Sequence, residues 1–185
     1  MMNFFIHDKY LDDVVMFQLL ELIEFYSGTE RKNMLKVPKG DGSMLYGSTW
    51  KGFLKYDKET GDKVFRKSDP NNKGLYLTKV KAEHPELEEI FQEYADKYFC
   101  GFDYKQIQLN RNFPCPPHND KNKGDSICIA FGEYEGGELC IEQEDGTVIE
   151  VDPRIKPVKF NGLKCKHWVK PYEGGTRYSM VFFNN

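Results

Sequence analysis

The sequence predicts an α+β protein, in which short strands build a sandwich or barrel and helices cover one of its sheets. Two observations support this prediction. From residue 104 onward, short apolar runs alternate with glycine-containing turns, which is typical of antiparallel strands. Before residue 104, two segments repeat apolar residues at three-and-four spacing, which is typical of amphipathic helices. The 185 residues therefore suit one compact domain, with residues 1–103 packing on a core of residues 104–185.

Both helices are expected to pack an apolar face on a sheet. The first covers residues 11–27, where Gly28 supplies a stop signal. The second covers residues 84–99, with Pro85 in the first turn, where proline is tolerated. In each segment the polar residues fall on the opposite face, as they do in helices that lie at a protein surface.

Between the helices, the sequence predicts a loop, a hairpin and one short strand. Residues 29–48 are polar and contain glycine, so a loop is expected there. Residues 49–56 and 63–67 flank a polar turn and therefore predict a β-hairpin. A second turn, rich in asparagine, leads into a short strand at residues 75–80.

The core from residue 104 onward is expected to consist of strands. Turns that contain glycine separate its apolar runs. The predicted strands are residues 104–113, 125–132, 137–143, 147–151, 156–160 and 177–183.

Composition excludes several classes of protein. No stretch approaches the eighteen or so apolar residues of a membrane span, and the N-terminus lacks a secretory pattern. The five cysteines form no Cys-x-x-Cys pair, so reduced thiols and an intracellular location, cytoplasmic or nuclear, are expected. The net charge of −3 is unevenly spread, because residues 29–81 hold 13 basic and 6 acidic side chains. This block indicates either an anionic partner or a solvated lysine-rich face.

A metal site is predicted from three residues. His118 and Asp120 are separated by one residue, so in an extended segment their side chains point the same way. His167 follows before the last strand. Two imidazoles and one carboxylate form the facial triad of non-haem Fe(II) oxygenases. The alternative is a chance His-x-Asp pair at the surface.

An anion site is predicted beside this triad. Arg177 and Ser179 share one face of a strand whose other residues are of core type, and a buried arginine needs a carboxylate. A guanidinium with a neighbouring hydroxyl suits the far carboxylate of 2-oxoglutarate. Asn110 and Asn112 continue an amide-lined face that could hold a dicarboxylate. The alternatives are an exposed edge arginine and a solvent-facing amide row.

Residues 104–183 resemble the Fe(II)- and 2-oxoglutarate-dependent oxygenases. Within that superfamily, the pattern is most similar to the TET/JBP-like nucleic-acid-modifying oxygenases and their short microbial and viral relatives. The motifs are Asn110-Arg111-Asn112, His118-x-Asp120, Asn122-x-Gly124-x-Ser126, Gly132-x-x-x-Gly136-Gly137-x-Leu139, Phe160-x-Gly162, His167 and Arg177-Tyr178-Ser179. The resemblance implies a double-stranded β-helix (jelly-roll) core, Fe(II), 2-oxoglutarate and O2 as cosubstrates, and is compatible with a virus-encoded protein.

The chain departs from the family pattern in two places. The cysteine-rich zinc region of animal TET enzymes is absent from this sequence. The ten-residue step from His167 to Arg177 also occurs in prolyl-hydroxylase-type oxygenases, which usually carry tyrosines where this chain reads Phe113-Pro114-Cys115-Pro116-Pro117.

The resemblance implies hydroxylation of a C–H bond, with a methyl group on a nucleobase (5-methylpyrimidine in DNA) as the first hypothesis for the substrate. A basic and aromatic region at residues 46–67 suits a nucleic-acid partner, because cations neutralise phosphates and rings stack on bases. Its residues are Lys51, Lys55, Lys58, Lys63, Arg66 and Lys67 with Tyr46, Trp50, Phe53, Tyr56 and Phe65. One alternative is a protein side-chain (prolyl-type) or small-molecule hydroxylase, and a second is a non-enzymatic jelly-roll binding module.

Overall fold

The computed structural model describes residues 2–27 and 36–185. In these ranges the helices are α1 (Met2–Glu21), α2 (Lys79–Glu83) and α3 (Leu87–Phe99). The strands are β1 (Gly42–Thr49), β2 (Phe53–Tyr56), β3 (Lys63–Phe65), β4 (Tyr76–Leu77), β5 (Gln106–Arg111), β6 (Lys123–Phe131), β7 (Tyr134–Gly136), β8 (Leu139–Glu142), β9 (Val148–Val151), β10 (Val158–Phe160), β11 (His167–Val169), β12 (Tyr172–Gly174) and β13 (Tyr178–Asn184).

The strands form one large and several small antiparallel sheets. The main sheet has six strands in the order β10-β6-β13-β5-β1-β4. A three-stranded sheet, β11-β8-β9, a pair, β12-β7, and the hairpin β2-β3 accompany it. The prediction of an α+β protein with antiparallel strands is therefore confirmed. Within the described ranges, no helix combines the length and the apolar character that a membrane span requires.

The two faces of the main sheet bury different partners because side chains alternate along a strand. In β13, Tyr178, Met180 and Phe182 join the core cluster that contains Met16 of α1 and Phe91 of α3. The opposite face packs on the three-stranded sheet through a second cluster. That second cluster consists of Cys128, Leu139, Ile141, Val158 and Phe160. The space between the two sheets is where the candidate site lies.

The first helix differs from its prediction at both ends. It covers Met2–Glu21 and not residues 11–27. The chain leaves the helix through tight bonds from Leu22 N–H to the Leu19 carbonyl and from Ile23 N–H to the Leu20 carbonyl. Ile23 and Phe25 are buried in the core although they follow the helix. Their apolar character continues the helical pattern in the sequence, so the predicted helix extends too far.

The predicted loop at residues 29–48 holds for residues 36–41 and is wrong from Gly42 onward. Residues 28–35 lie outside the described ranges, but β1 occupies Gly42–Thr49 and pairs with β5 over six residues. The strand was not predicted because its small residues are typical of loops. Glycine is required at position 42, since a Cβ there would lie 2.3 Å from the Tyr26 carbonyl carbon. Because β1 and β4 belong to the main sheet, the segment before residue 104 contributes two strands to the core as well as packing on it.

The other elements follow the predictions with shifted ends. The hairpin forms as β2 and β3. The strand expected at residues 75–80 shrinks to β4, because α2 begins at Lys79. Three short strands were not predicted: β7, β11 and β12. Each has three residues, too few to show an alternating pattern in the sequence.

Candidate metal centre and anion-binding cavity

His118, Asp120 and His167 converge in the structure. One ligand atom from each lies within 4.8 Å of the others. His118 Nε2 is 3.4 Å from Asp120 Oδ1, and His167 Nε2 is 3.5 Å from Asp120 Oδ2. Residues that lie 47 positions apart in the sequence therefore meet at one point, as the prediction of a metal site requires.

Backbone pairing holds the three residues together. His118 and His167 form an isolated β-bridge with reciprocal N–H···O bonds of 3.0 and 2.9 Å. Asp120 N–H donates to the Gly162 carbonyl at 2.8 Å. A Cβ on Gly162 would lie 2.5 Å from Asp120 Oδ2, so only glycine leaves room for this carboxylate. The Phe160-x-Gly162 motif thus has a steric function beside the predicted ligand.

Each imidazole is oriented by a backbone carbonyl. His118 Nδ1 lies 2.8 Å from the Pro116 carbonyl oxygen, and His167 Nδ1 lies 3.0 Å from that of Cys165. A carbonyl oxygen only accepts hydrogen bonds, so Nδ1 is the protonated nitrogen in both rings. Nε2 of both rings then faces Asp120, which is the orientation that metal-ligating histidines usually have.

The electrostatics of the cluster suit a bound cation. The hydrogen bond to Asp120, followed by that to Cys115, raises the pKa of His118 to about 10. Burial lowers the pKa of His167, so this ring is neutral at neutral pH. A proton on His118 therefore compensates the Asp120 carboxylate, a role that a divalent ion can take over. Two nitrogen donors and one carboxylate oxygen fit Fe(II).

Arg177 is buried without an anionic partner. Only 2% of its surface is exposed. Its Nη1 donates to Ser179 Oγ at 3.2 Å and its Nη2 to the Gly137 carbonyl at 3.4 Å, and its Nε has no hydrogen-bond partner. Among the described residues, no carboxylate lies within salt-bridge distance of this guanidinium. A buried charge with only weak neutral partners is the arrangement expected of an anion-binding residue.

Ser179 and Asn110 belong to one hydrogen-bonded chain across the sheet. Asn110 Nδ2 donates to Ser179 Oγ at 3.2 Å, and Asn110 Oδ1 accepts from Ser43 Oγ at 2.5 Å. Gln108 Nε2 donates to Ser43 Oγ at 2.9 Å. Sequence reasoning missed Ser43, because its segment was expected to be a loop. Ser179 Oγ accepts hydrogen bonds from Asn110 Nδ2 and from Arg177 Nη1, so its own proton can be donated to a ligand.

Asn112 does not belong to the cavity, contrary to its predicted contact with the cosubstrate. Its Oδ1 accepts from Arg177 N–H at 2.9 Å, and its Nδ2 donates to Asp41 at 3.0 Å. Asn112 follows the end of β5 with φ at +44°, which breaks the alternation assumed from the sequence. Its amide fixes the backbone of Arg177 and therefore positions the guanidinium indirectly.

The remaining six candidates line one cavity between the two sheets. They are Asn110, His118, Asp120, His167, Arg177 and Ser179. Apolar walls from Phe113, Leu139, Phe160 and Val181 complete the cavity. The triad and the guanidinium therefore open into the same cavity.

The basic and aromatic region divides into a buried and an exposed part. Tyr46 is 3% exposed, packs on Phe91 and donates to the His84 carbonyl, so its proposed stacking role is wrong. The other four aromatics are exposed. They are Trp50 (79%), Phe53 (46%), Tyr56 (58%) and Phe65 (57%).

Neither a protein-family model nor a curated protein matches the chain. Solved structures of 2-oxoglutarate-Fe(II) oxygenases do. One, an oxidoreductase of that family from Burkholderia pseudomallei, has 19% identity and a TM-score of 0.44, over 59% of this chain and 60% of that one. A Pseudomonas putida prolyl-4-hydroxylase has 20% identity and a TM-score of 0.37, over 54% and 62%. NgTET1 in complex with 5mC DNA has 16% identity and a TM-score of 0.49, over 91% and 68%.

The match thus spans about 60% of the length of the first two structures. These solved structures come from the superfamily that the sequence resembles. At such identities and TM-scores, the function has to be argued from the site.

Proposed function

We propose that this protein is an Fe(II)- and 2-oxoglutarate-dependent oxygenase built on a double-stranded β-helix core. One observation carries the proposal: an unpaired, buried guanidinium shares a cavity with two imidazoles and a carboxylate that converge on one point. A metal-binding protein without a dicarboxylate cosubstrate would have no use for Arg177, whose burial is unfavourable unless an anion joins it.

His118, Asp120 and His167 are the residues that would hold the iron. When bound, Fe(II) with 2-oxoglutarate and O2 supplies the oxidation, which converts the cosubstrate to succinate and carbon dioxide and hydroxylates a C–H bond. The chain supplies the geometry. The Pro116 and Cys165 carbonyls hold the imidazoles in the tautomer that presents Nε2 to the metal.

Arg177 and Ser179 would bind the far carboxylate of 2-oxoglutarate. Arg177 offers Nε, which has no partner, and two Nη atoms whose present bonds are long. Ser179 adds a hydroxyl proton, because Asn110 and Arg177 both donate to its oxygen. Apolar walls keep water from these groups, and charge-assisted hydrogen bonds are stronger in such surroundings.

We propose a methyl group on a nucleobase, such as a 5-methylpyrimidine in DNA, as the target of the reaction. The exposed aromatic rings of residues 46–67 stand among lysines and an arginine, a combination that suits bases and phosphates. Exposed rings on a basic hairpin would gain nothing from a small apolar substrate. An intracellular setting fits this proposal, since all five cysteines are free thiols.

The test is succinate formation with Fe(II) and 2-oxoglutarate, in the presence of methylated DNA, methylated RNA or proline-containing peptides. The proposal expects turnover that methylated nucleic acid stimulates and that Asp120→Ala abolishes. Asp145→Ala, an exposed aspartate in a turn, serves as the matched control and keeps wild-type turnover. Stimulation by peptides alone would favour a prolyl-type hydroxylase. Absence of turnover in all arms would favour a non-enzymatic jelly-roll binding module.

A further inference from the structure

A second concave site lies at one end of the main sheet. It is a groove between the base of the hairpin and the ends of β5 and β6, and its volume is about 620 Å³. Ligand pockets typically measure roughly 300–1,000 Å³, so the groove is large enough to hold a ligand of nucleotide size. We call it the hairpin groove and define it by Trp50, Lys105, Gln106 and Lys123, which line it.

The charges of the hairpin groove are predominantly positive. Lys105 and Lys123 are exposed, and no described carboxylate lies within salt-bridge distance of either ammonium group. Lys81 and Glu88 also line the groove but neutralise each other in an ion pair. Two available ammonium groups on a protein of net charge −3 mark this groove as a local site for an anion.

Trp50 gives the groove a flat apolar surface. Its side chain is 79% exposed, the most of any large hydrophobic side chain in the described ranges. A tryptophan left in water next to lysines is the pairing found where proteins stack unpaired bases and contact the adjoining phosphates.

The groove also contains a polar group that lacks a partner. Gln106 is 7% exposed and donates from Nε2 to the Ser48 carbonyl at 2.6 Å. Its Oε1 is buried and accepts no hydrogen bond from any described residue. Buried acceptors are nearly always satisfied, so Gln106 is an unsatisfied polar group in the wall of this groove.

The hairpin groove and the candidate cavity are lined by neighbouring residues. Asn122 lines the cavity and the next residue, Lys123, lines the groove. Phe183 lines the cavity and is the direct partner of Gln106 in the pairing of β13 with β5. The walls of the groove and of the cavity therefore contain residues that are neighbours in the chain or across the sheet.

We propose that the hairpin groove binds one unpaired polynucleotide strand, with phosphates on Lys105 and Lys123 and a base stacked on Trp50. The binding of a strand in the groove does not depend on the proposed function. Only the assignment of that strand as the substrate rests on it. A duplex fits less well, because its bases are already stacked and two ammonium groups neutralise little of its charge.

The test measures binding by fluorescence without iron or 2-oxoglutarate. The chain has two tryptophans, so in a Trp168→Phe background Trp50 is the only one, and stacking should quench its emission. The probes are short oligothymidylate, oligouridylate, a duplex of matched length and polyglutamate. With two phosphate contacts, log K should fall with log salt at a slope of about −1.4, roughly −0.7 per contact.

Variants then assign the contacts. In fluorescence-anisotropy titrations with a labelled oligonucleotide, Trp50→Ala should weaken binding about 5- to 150-fold, from a stacking energy of about 1–3 kcal/mol per base. Lys105→Gln or Lys123→Gln should each reduce the salt slope by about 0.7. Lys156→Gln, an exposed lysine outside the groove, is the matched control and should change neither value. All four positions are exposed, so folding is expected to survive each change.

The outcomes separate this inference from the proposed function. Equal affinity for the duplex or for polyglutamate, or binding that Trp50→Ala leaves unchanged, overturns the hairpin groove as a strand site. Strand binding without succinate formation leaves the groove standing and refutes the oxygenase. Succinate formation without strand binding supports the oxygenase and refutes the hairpin groove as a strand site.

Discussion

Replacement of Arg177 by methionine tests the central claim about the cavity. Methionine keeps an unbranched chain of similar length and removes the charge. The guanidinium lies over the rings of Tyr134 and Tyr172, at 5.6 and 5.5 Å from their centroids, and makes only two long hydrogen bonds, 3.2 Å to Ser179 and 3.4 Å to the Gly137 carbonyl. Substituting apolar side chains for buried charges is often neutral or stabilising by about 1–4 kcal/mol. Arg177→Met should therefore leave the free energy of unfolding unchanged or raise it.

The same change should cost most of the affinity for 2-oxoglutarate. Two charge-assisted hydrogen bonds to a carboxylate contribute about 1.5–3 kcal/mol each, less the weak bonds that they replace. A net loss of about 2–5 kcal/mol corresponds to a dissociation constant roughly 30- to 4,000-fold higher. The assay is thermal denaturation with Mn(II) as a redox-inert metal. In the wild type, 2-oxoglutarate at 100 times its dissociation constant should stabilise by about 2.7 kcal/mol. In Arg177→Met that stabilisation should fall below about 1 kcal/mol.

Arg154→Met is the matched control. Arg154 also lies over the Tyr134 ring, but it is paired with Asp152 at 2.7 Å. Its loss should reduce stability by about 1–3 kcal/mol and leave 2-oxoglutarate binding intact. The reasoning is refuted if Arg177→Met destabilises the ligand-free protein as Arg154→Met does while 2-oxoglutarate still binds with wild-type affinity, because Arg177 would then be a structural residue.

Three further predictions concern the groups around the cavity. Gly162→Ala should displace Asp120 and weaken Mn(II) binding, measured by calorimetry, about 10- to 100-fold. The free energy of unfolding without metal and 2-oxoglutarate should change little. Ser43→Ala should raise KM for 2-oxoglutarate about tenfold at constant kcat, because Asn110 loses the donor that orients it toward Ser179; an unchanged KM would rule out this role. The pKa of His118 near 10 lies above its unfolded value of about 6.5, so His118 stabilises the metal-free protein fully below pH 6.5 and loses this contribution as pH rises toward 10. Since metal displaces that proton, Mn(II) affinity should rise about tenfold per pH unit from 7 to 9; a flat profile would contradict the shift.

The predictable parts of the fold were those with regular patterns of adequate length. The helix α3 and strands β5, β6 and β13 carry apolar residues with a clear period, and the sequence shows them within a few residues. The strand β1 was missed because it contains Ser43 and the glycines at positions 42 and 47, which are typical of loops. The two glycines are needed because Tyr26 and Lys105 approach their backbone closely, a tertiary cause that a local pattern does not contain.

The candidate site was more predictable than the fold, because chemistry restricts its residue types more than packing does. The site is recognisable from a His-x-Asp pair, a distant histidine and an arginine in an apolar strand. Burying such a charged arginine is unfavourable unless it has a binding partner, so its presence in a core strand indicates a site. Asn112 was misplaced because strand alternation was extended past the end of β5, where φ of +44° turns the side chain toward Arg177 N–H. The imidazoles are oriented by the carbonyls of Pro116 and Cys165. Because every residue has a backbone carbonyl, the sequence does not show which ones take this role.

The charges of the cavity explain why metal and cosubstrate should bind together. Without ligands, the cavity holds the Arg177 cation, the Asp120 anion and a proton on His118, an excess of one positive charge. A divalent metal displaces the proton, which leaves two positive charges in excess. A dicarboxylate brings two negative charges, one to the metal and one to Arg177, so only the doubly loaded cavity is neutral. Because buried net charge is unfavourable, each ligand should bind more tightly when the other is present, and a monocarboxylate should not reproduce the effect.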